Sequence, residues 1–196
     1  MNDPSFFWLF GLFILPFAWT PGPVNVTLAA AGATRGFWAS LPLIFGINTA
    51  FFLQAMGVGL GLETLFALYP LSYTILRFVG AAYILYLAYK MTRLTLHDTQ
   101  IDFTFWHGFL LSMLNPKVYM TLIAMYAQFA TVGKTFQGVL LLSTMSLLAF
   151  FIGNSLWCYM GSALRRYLER SPRLFRFYRI GIGLILVALA VLLVVG

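Results

Sequence analysis

Thr20-Pro21-Gly22-Pro23 cuts through an apolar stretch running from about residue 6 to residue 33, and Asn115-Pro116-Lys117 cuts a second one about half a chain later. Proline lacks a backbone donor and clashes with the turn before it, and glycine relaxes the chain further. In hydrocarbon each N–H or C=O freed by such a break needs a new partner. The break therefore persists only where protein packs around it or where it borders a polar cavity. Paired breaks at corresponding positions of two halves point to a binding site near the middle of a bilayer.

The surrounding composition fits that setting. The 196 residues are 61% hydrophobic and 9% charged, against about 25% charged in a soluble domain. Such a chain cannot show water a compatible surface on all sides and belongs to the integral membrane class. About 20 apolar residues cross a bilayer as a helix. Six segments reach that length, at about 5–33, 37–61, 69–91, 104–130, 137–162 and 175–195. The first and fourth are too long for one straight crossing, at about 28 residues or about 42 Å of helix. Both hold a break, so each is read as two half-helices. The first segment reads as a span and not as a cleaved signal peptide, because no basic residue precedes it and it stays apolar past the break. The connections are too short for a soluble domain.

The net charge of +7 is unevenly spread. Arg165, Arg166, Arg170, Arg173, Arg176 and Arg179 crowd one connection, between the fifth and sixth segments. Basic residues beside a membrane face the cytoplasm and its anionic lipid, so the cluster reads as an orientation signal and lipid contact, not as a nucleic-acid patch. Arg35, Lys90 and Arg93 fall on the same side, and Lys134 alone on the other. Both termini are then expected outside.

With three spans in each half, the second half enters the membrane with opposite polarity. The order of features repeats: a proline break in spans one and four, Asn48 and Asn154 in spans two and five, and Arg77 to Gly80 against Arg179 to Gly181 in spans three and six. The expectation is an all-α integral membrane protein, one transmembrane domain over 1–196. Its six transmembrane helices form two inverted three-helix repeats, about 1–95 and 103–196, with the first and fourth helices broken at prolines. Gly32 and Gly36, Gly57 and Gly61, and Gly80-Ala81-Ala82 are small enough to let helix backbones touch. Such stripes serve packing within one chain and permit a homo-oligomer equally well.

The chemistry concentrates at the breaks. The second half of span one starts near Pro23 to Asn25, where free N–H groups form a positive pole suited to a carboxylate. Carbonyls near Ala18 to Thr20 could accept from an ammonium group, so one interrupted helix can hold both ends of a zwitterion; a kink without a ligand is the plainer alternative. Lys117 sits deep, where a charge costs about 2.5–3.5 kcal/mol unless solvated or paired. It either holds a substrate carboxylate, takes part in proton coupling, or neutralises half-helix carbonyls. Asn25, Asn48, Gln54, Asn115 and Asn154 either join helices, at about 1 kcal/mol each, or line the pathway. Substrate contact is expected at Thr20, Pro21, Gly22, Pro23, Asn25, Asn48, Asn115, Pro116, Lys117 and Asn154.

Asp3, Glu63, Asp98, Asp102 and Glu169 all fall at termini or connections. Intramembrane carboxylates are the usual cation ligands and proton relays, so a metal site is disfavoured. His97 and His107 read as solvated loop residues, and Arg77 as a side chain reaching for a membrane face. Cys158, the sole cysteine, reads as a small packing residue. No nucleophile, base and oxyanion donor can be assembled from these groups, so no catalytic residues and no cofactor are assigned, and the chain is not read as an enzyme.

At these residues the sequence resembles the LysE/RhtB family of bacterial amino-acid exporters over nearly its whole length. The resemblance rests on Thr20 to Pro23, Arg35-Gly36, Gly80-Ala81-Ala82-Tyr83, and Gly108-Phe109 leading to Asn115-Pro116-Lys117. Gly153-Asn154-Ser155-Leu156-Trp157, followed by Gly161, is most similar to the cysteine and O-acetylserine exporter branch. The resemblance implies a multi-pass protein of the bacterial inner membrane that exports a small amino acid or derivative, with protons as coupling ion and no ATP hydrolysis. Thr20 to Pro23 and Asn115 to Lys117 would form its translocation centre. The mechanism expected is alternating access about that midplane site. The alternatives are a non-transporting membrane subunit and a metal-ion exporter of the same architecture; a thiol-redox carrier would need a cysteine in each half.

Overall fold

The structure, a computed structural model, describes residues 4–62, 67–93 and 103–195. Asp3, Glu63, His97, Asp98 and Asp102, and the join between the two halves, lie outside the described residues. Among those described, the main elements are α1 (Pro4–Trp19), α2 (Pro23–Arg35), α3 (Leu41–Gly57), α4 (Pro70–Arg93), α5 (Phe105–Met113), α6 (Pro116–Gln128), α7 (Phe136–Arg170) and α8 (Pro172–Val195). Short helical turns cover Trp38–Ser40, Val58–Leu62 and Ala130–Gly133.

Both sequence breaks are bends. α1 and α2 meet at 62°, and α5 and α6 at 60°. Among the described residues four helical stretches are long and apolar enough to cross a membrane alone, and up to six crossings result if each bent pair is one span. This is a multi-pass, all-helical architecture. The bends have local causes. Gly22 is extended, with φ −155° and ψ 176°, and Pro23 opens α2, where its missing N–H would have had no helical partner. Asn115 is also extended; its side chain accepts from the Lys117 N–H at 3.1 Å, and Pro116 follows as the first helical residue.

One expectation needs correction. The six arginines do not form a loop: α7 carries Arg165, Arg166 and Arg170, α8 carries Arg173, Arg176 and Arg179, and only Ser171 separates the two helices. α7 is 35 residues long, about 52 Å at 1.5 Å per residue, and its last turns extend past any apolar span. Residues 163–170 are good helix formers, tied by an Arg165–Glu169 ion pair of 2.7 Å one turn apart. Pro172 then disfavours helical geometry at Ser171.

Two apolar clusters fill the interior. One joins α2, the start of α3, the second half of α4, the end of α7, and α8, around Leu28, Ile44, Ile84, Cys158 and Leu186. The other joins α1, the end of α3, α6 and the start of α7, around Ile14, Phe51, Leu122 and Leu142. α3, α4 and α7 contribute to both without a break, α4 through Leu76 on the second and Ala81 to Met91 on the first.

At the arginine-rich end α2 runs along α7 and α3 along α5. Gly32 packs directly on the backbone of Cys158 and Ser162, and Gly161 returns the contact on Ala29. Gly46 on Phe105 and Gly108 on Leu43 repeat the arrangement at the other pair. A side-chain carbon at any of these positions would overlap main-chain atoms of the facing helix. The expected packing role of Gly61 does not hold: it turns the chain at φ +113° with open space around it, a conformation suited to glycine.

Candidate functional site

A small cavity lies between the two bends. Thr20, Gly22, Asn25, Asn115, Lys117 and Asn154 border it, with Phe17, Val24, Ile47, Phe51, Ser112, Val118, Thr121 and Phe150 completing the wall. Water centres have about 40 Å³ of room there, enough for about three molecules. Six of the ten sequence-predicted residues thus meet around one space. Pro21, Pro23 and Pro116 shape the bends without lining it. Asn48 borders a separate apolar groove, with Phe45, Phe52 and Leu148.

At the first bend the carbonyl pole is already served. The Asn25 side-chain amide donates to Ala18 O at 3.2 Å and to Thr20 O at 3.0 Å. Lys117 Nζ donates to Thr20 O and Pro21 O, each at 3.4 Å. The expected open seat for a substrate ammonium is therefore occupied by the chain's own ammonium. Gly22 permits this approach, since a side-chain carbon there would lie 3.3 Å from Lys117 Nζ. The two helix starts also differ. Asn115 caps α6, whereas no side chain caps α2, leaving its positive pole toward the cavity without a side-chain acceptor.

The other amides link helices. Asn154 donates to Asn48 Oδ1 at 3.3 Å, and Asn48 donates to Ile44 O at 2.7 Å, so the proposed repeat mates touch across the α3–α7 crossing. Gln54 and Ser112 exchange two hydrogen bonds of 3.0 Å, side chain to backbone and side chain to side chain, between α3 and the end of α5. Asn25, Asn48, Asn115 and Asn154 are all buried, and each has a polar partner, as burial requires.

Sequence reasoning missed the aromatic wall. Phe51 and Phe150 stack with ring centroids 4.4 Å apart beside the cavity, and Phe17 faces the same space. Phenylalanine is so common in these spans that no single position stood out. Ser112 could have been found, being three residues before the second break.

Two assignments change. His107 is no solvated loop residue: it forms a capping box with Thr104 at the start of α5, with Nδ1 2.8 Å from the Thr104 hydroxyl. Arg77 does not simply reach for a membrane face. Its guanidinium donates to Leu193 O and Val194 O, both at 3.0 Å, serving carbonyls that the end of α8 leaves open. Cys158 is fully buried.

Comparison with known proteins bears on this arrangement. A leucine efflux protein of Klebsiella pneumoniae is 29% identical over 192 residues, covering 87% of this chain and 85% of its own. A cysteine/O-acetylserine efflux protein of Salmonella paratyphi A is 28% identical over 176 residues, covering 86% and 87%. Its Escherichia coli O157:H7 counterpart is 24% identical with the same coverage. No solved structure matches the chain. The profile described as LysE type translocator matches residues 15–196, taking in both bends and the whole cavity. The chain belongs to the LysE type translocator family, whose members are transporters and not enzymes.

Proposed function

We propose that this protein exports small neutral α-amino acids from the bacterial cytoplasm across the inner membrane, by alternating access around the cavity between the bends. The observation that carries the reading is the meeting of two broken spans at one polar space. A substrate carboxylate there finds the uncapped start of α2 and the Lys117 ammonium. A substrate ammonium finds the carbonyls that end α1. The aromatic and aliphatic wall of Phe17, Ile47, Phe51, Val118 and Phe150 takes the side chain. Among the described residues no acidic side chain borders the cavity, so a basic amino acid would bring an uncompensated charge. Relatives named for leucine, cysteine and O-acetylserine efflux agree with a neutral substrate.

The arginine-rich end is the cytoplasmic one by the positive-inside rule, which puts both termini outside. The single domain then divides into two inverted repeats, about 1–95 and 103–196. Contacts in the two ends differ in kind. The arginine-rich end is closed by backbone on backbone at Gly32, Gly46, Gly108 and Gly161. The opposite end is closed by side chains, with Phe6, Phe10 and Phe13 gathered around Phe129. Residues on both sides of the bends line the cavity, Phe17 of α1 and Thr121 of α6 on one and Ile47 of α3 and Ser112 of α5 on the other. Its room for about three waters is less than an amino acid needs, so loading requires the helices around it to spread. Protons moving inward supply the direction.

Counterflow in proteoliposomes tests the reading. Purified protein should exchange leucine or cysteine for labelled substrate in a saturable way, reject lysine, and concentrate substrate when a pH gradient is imposed. Absence of counterflow with every neutral amino acid tried would overturn it.

A further inference from the structure

We infer that the Lys117 ammonium is a built-in stand-in for the ammonium group of the substrate: it occupies the carbonyl seat of the empty carrier and yields it when a zwitterion binds. The inference rests on the amino-acid transport reading above and adds how the site recognises both ends of its ligand.

The carbonyls of Ala18, Thr20 and Pro21 gather where α1 ends, beside the negative pole of that helix. Two donors serve them. The Asn25 amide is neutral, short and buried, at 3.0–3.2 Å. Lys117 Nζ is charged and sits on a flexible four-carbon stem, and its two contacts are long, at 3.4 Å each. Ordinary N–H···O bonds centre near about 2.9 Å. One donor is therefore fixed and the other loosely held.

Among the described residues no acid competes for Lys117. Among the described residues the sole carboxylate side chain is Glu169, paired with Arg165 at the far end of α7. A substrate ammonium is the same chemical group as the lysine ammonium, so both seek the same carbonyls. The substrate's carboxylate meanwhile offers Lys117 a full opposite charge, a stronger partner than a carbonyl dipole. Binding becomes an exchange: the substrate ammonium takes the seat, and Lys117 swings onto the carboxylate. The seat holds one positive charge before and after. Gly22 leaves the stem room to swing, because a side-chain carbon there would crowd Nζ at 3.3 Å and Cδ at 3.6 Å.

The exchange demands both ligand ends. An amine without a carboxylate would displace Lys117 and give it nothing to bind, leaving two cations together. A carboxylate without an amine would draw Lys117 away and leave the seat without its positive charge, with Asn25 serving Thr20 O. Wild-type protein should thus discriminate against the decarboxylated analogue of its own substrate, and removal of Lys117 should abolish that discrimination.

The test is equilibrium binding to purified full-length protein in detergent, with leucine and cysteine against 3-methylbutylamine and cysteamine. Wild type should bind the zwitterions at least tenfold more tightly than the matching amines. Lys117→Met keeps the stem's bulk and empties the seat; its amine affinity should rise at least tenfold while zwitterion affinity falls. Lys117→Gln keeps a neutral donor near the carbonyls and should shift in the same direction, should the methionine variant fail to stay monodisperse. Loss of both ligand classes in a monodisperse variant, or no gain for amines, overturns the inference while leaving the transport reading in place. Wild type that binds no zwitterion overturns both.

Discussion

Gly32→Ala probes the proposed cytoplasmic seal at the close contact between α2 and α7. The added carbon would lie 2.9 Å from Ser162 N and closer still to the Cys158 carbonyl, whereas nonbonded carbon contacts settle at about 3.5–4.0 Å. These are main-chain atoms of α7, so no rotamer change relieves the overlap; α2 and α7 must part by at least about 0.5 Å. Overpacking of this kind costs about 1–3 kcal/mol, charged to the sealed form alone, since an opened seam has room for the carbon. The ratio of opened to sealed protein should rise about 5- to 150-fold. Cys158 reports the change: it is the sole cysteine, fully buried in the sealed form on the residue that Gly32 touches. Alkylation by N-ethylmaleimide should accelerate by the same factor in monodisperse Gly32→Ala protein. Gly11→Ala, with nothing within 4 Å, is the control and should label at the wild-type rate. Equal labelling of both variants and wild type would refute the seal.

Other outcomes follow from the same contacts. Changing Pro21 and Pro23 together to alanine restores two backbone donors and favours a continuous helix through the 62° bend; export should fall more than tenfold at equal membrane abundance, measured as efflux from loaded cells, and wild-type export would exclude a site at the break. Gln54→Leu alone should lower the apparent melting temperature by about 2–4 °C, the effect of losing about 1 kcal/mol of interhelical hydrogen bonding. Adding Ser112→Ala should then cost little more, because the two side chains serve each other; additive losses would mean that they act separately.

The fold was legible where one kind of residue overrode the rest. Proline and glycine in apolar segments located both bends, and the amides at 25, 115 and 154 pointed to the cavity. What escaped was decided by pairing across the chain. Asn48 and Asn154 look alike in sequence, yet at an antiparallel crossing one faces the cavity and its partner the opposite groove. The Arg-rich segment read as a loop because charge stops an apolar pattern; backbone hydrogen bonding does not stop with it, and α7 continues until Pro172. The carbonyl pole was found, but not its occupant, because Lys117 lies 97 positions from Thr20 and only folding brings them together. Stacked rings such as Phe51 and Phe150 carry no local mark at all.

The bends do more than expose polar groups. Each of the four half-helices packs into one end of the molecule only: α2 and α5 belong to the arginine-rich cluster, α1 and α6 to the other. Straight spans would tie the two clusters together, so that loosening one end would pull on the packed side chains of the other. A bend of about 60° cuts that mechanical link in the two spans that flank the cavity. Of the unbroken helices, α3 and α7 meet by a hydrogen bond between the Asn154 and Asn48 side-chain amides and by the Phe51–Phe150 ring stack, a small crossing about which they can pivot, while α4 still joins both clusters. The proposed alternating access needs two barriers that yield separately, and a pair of proline-cut helices around one crossing loosens the tie between them.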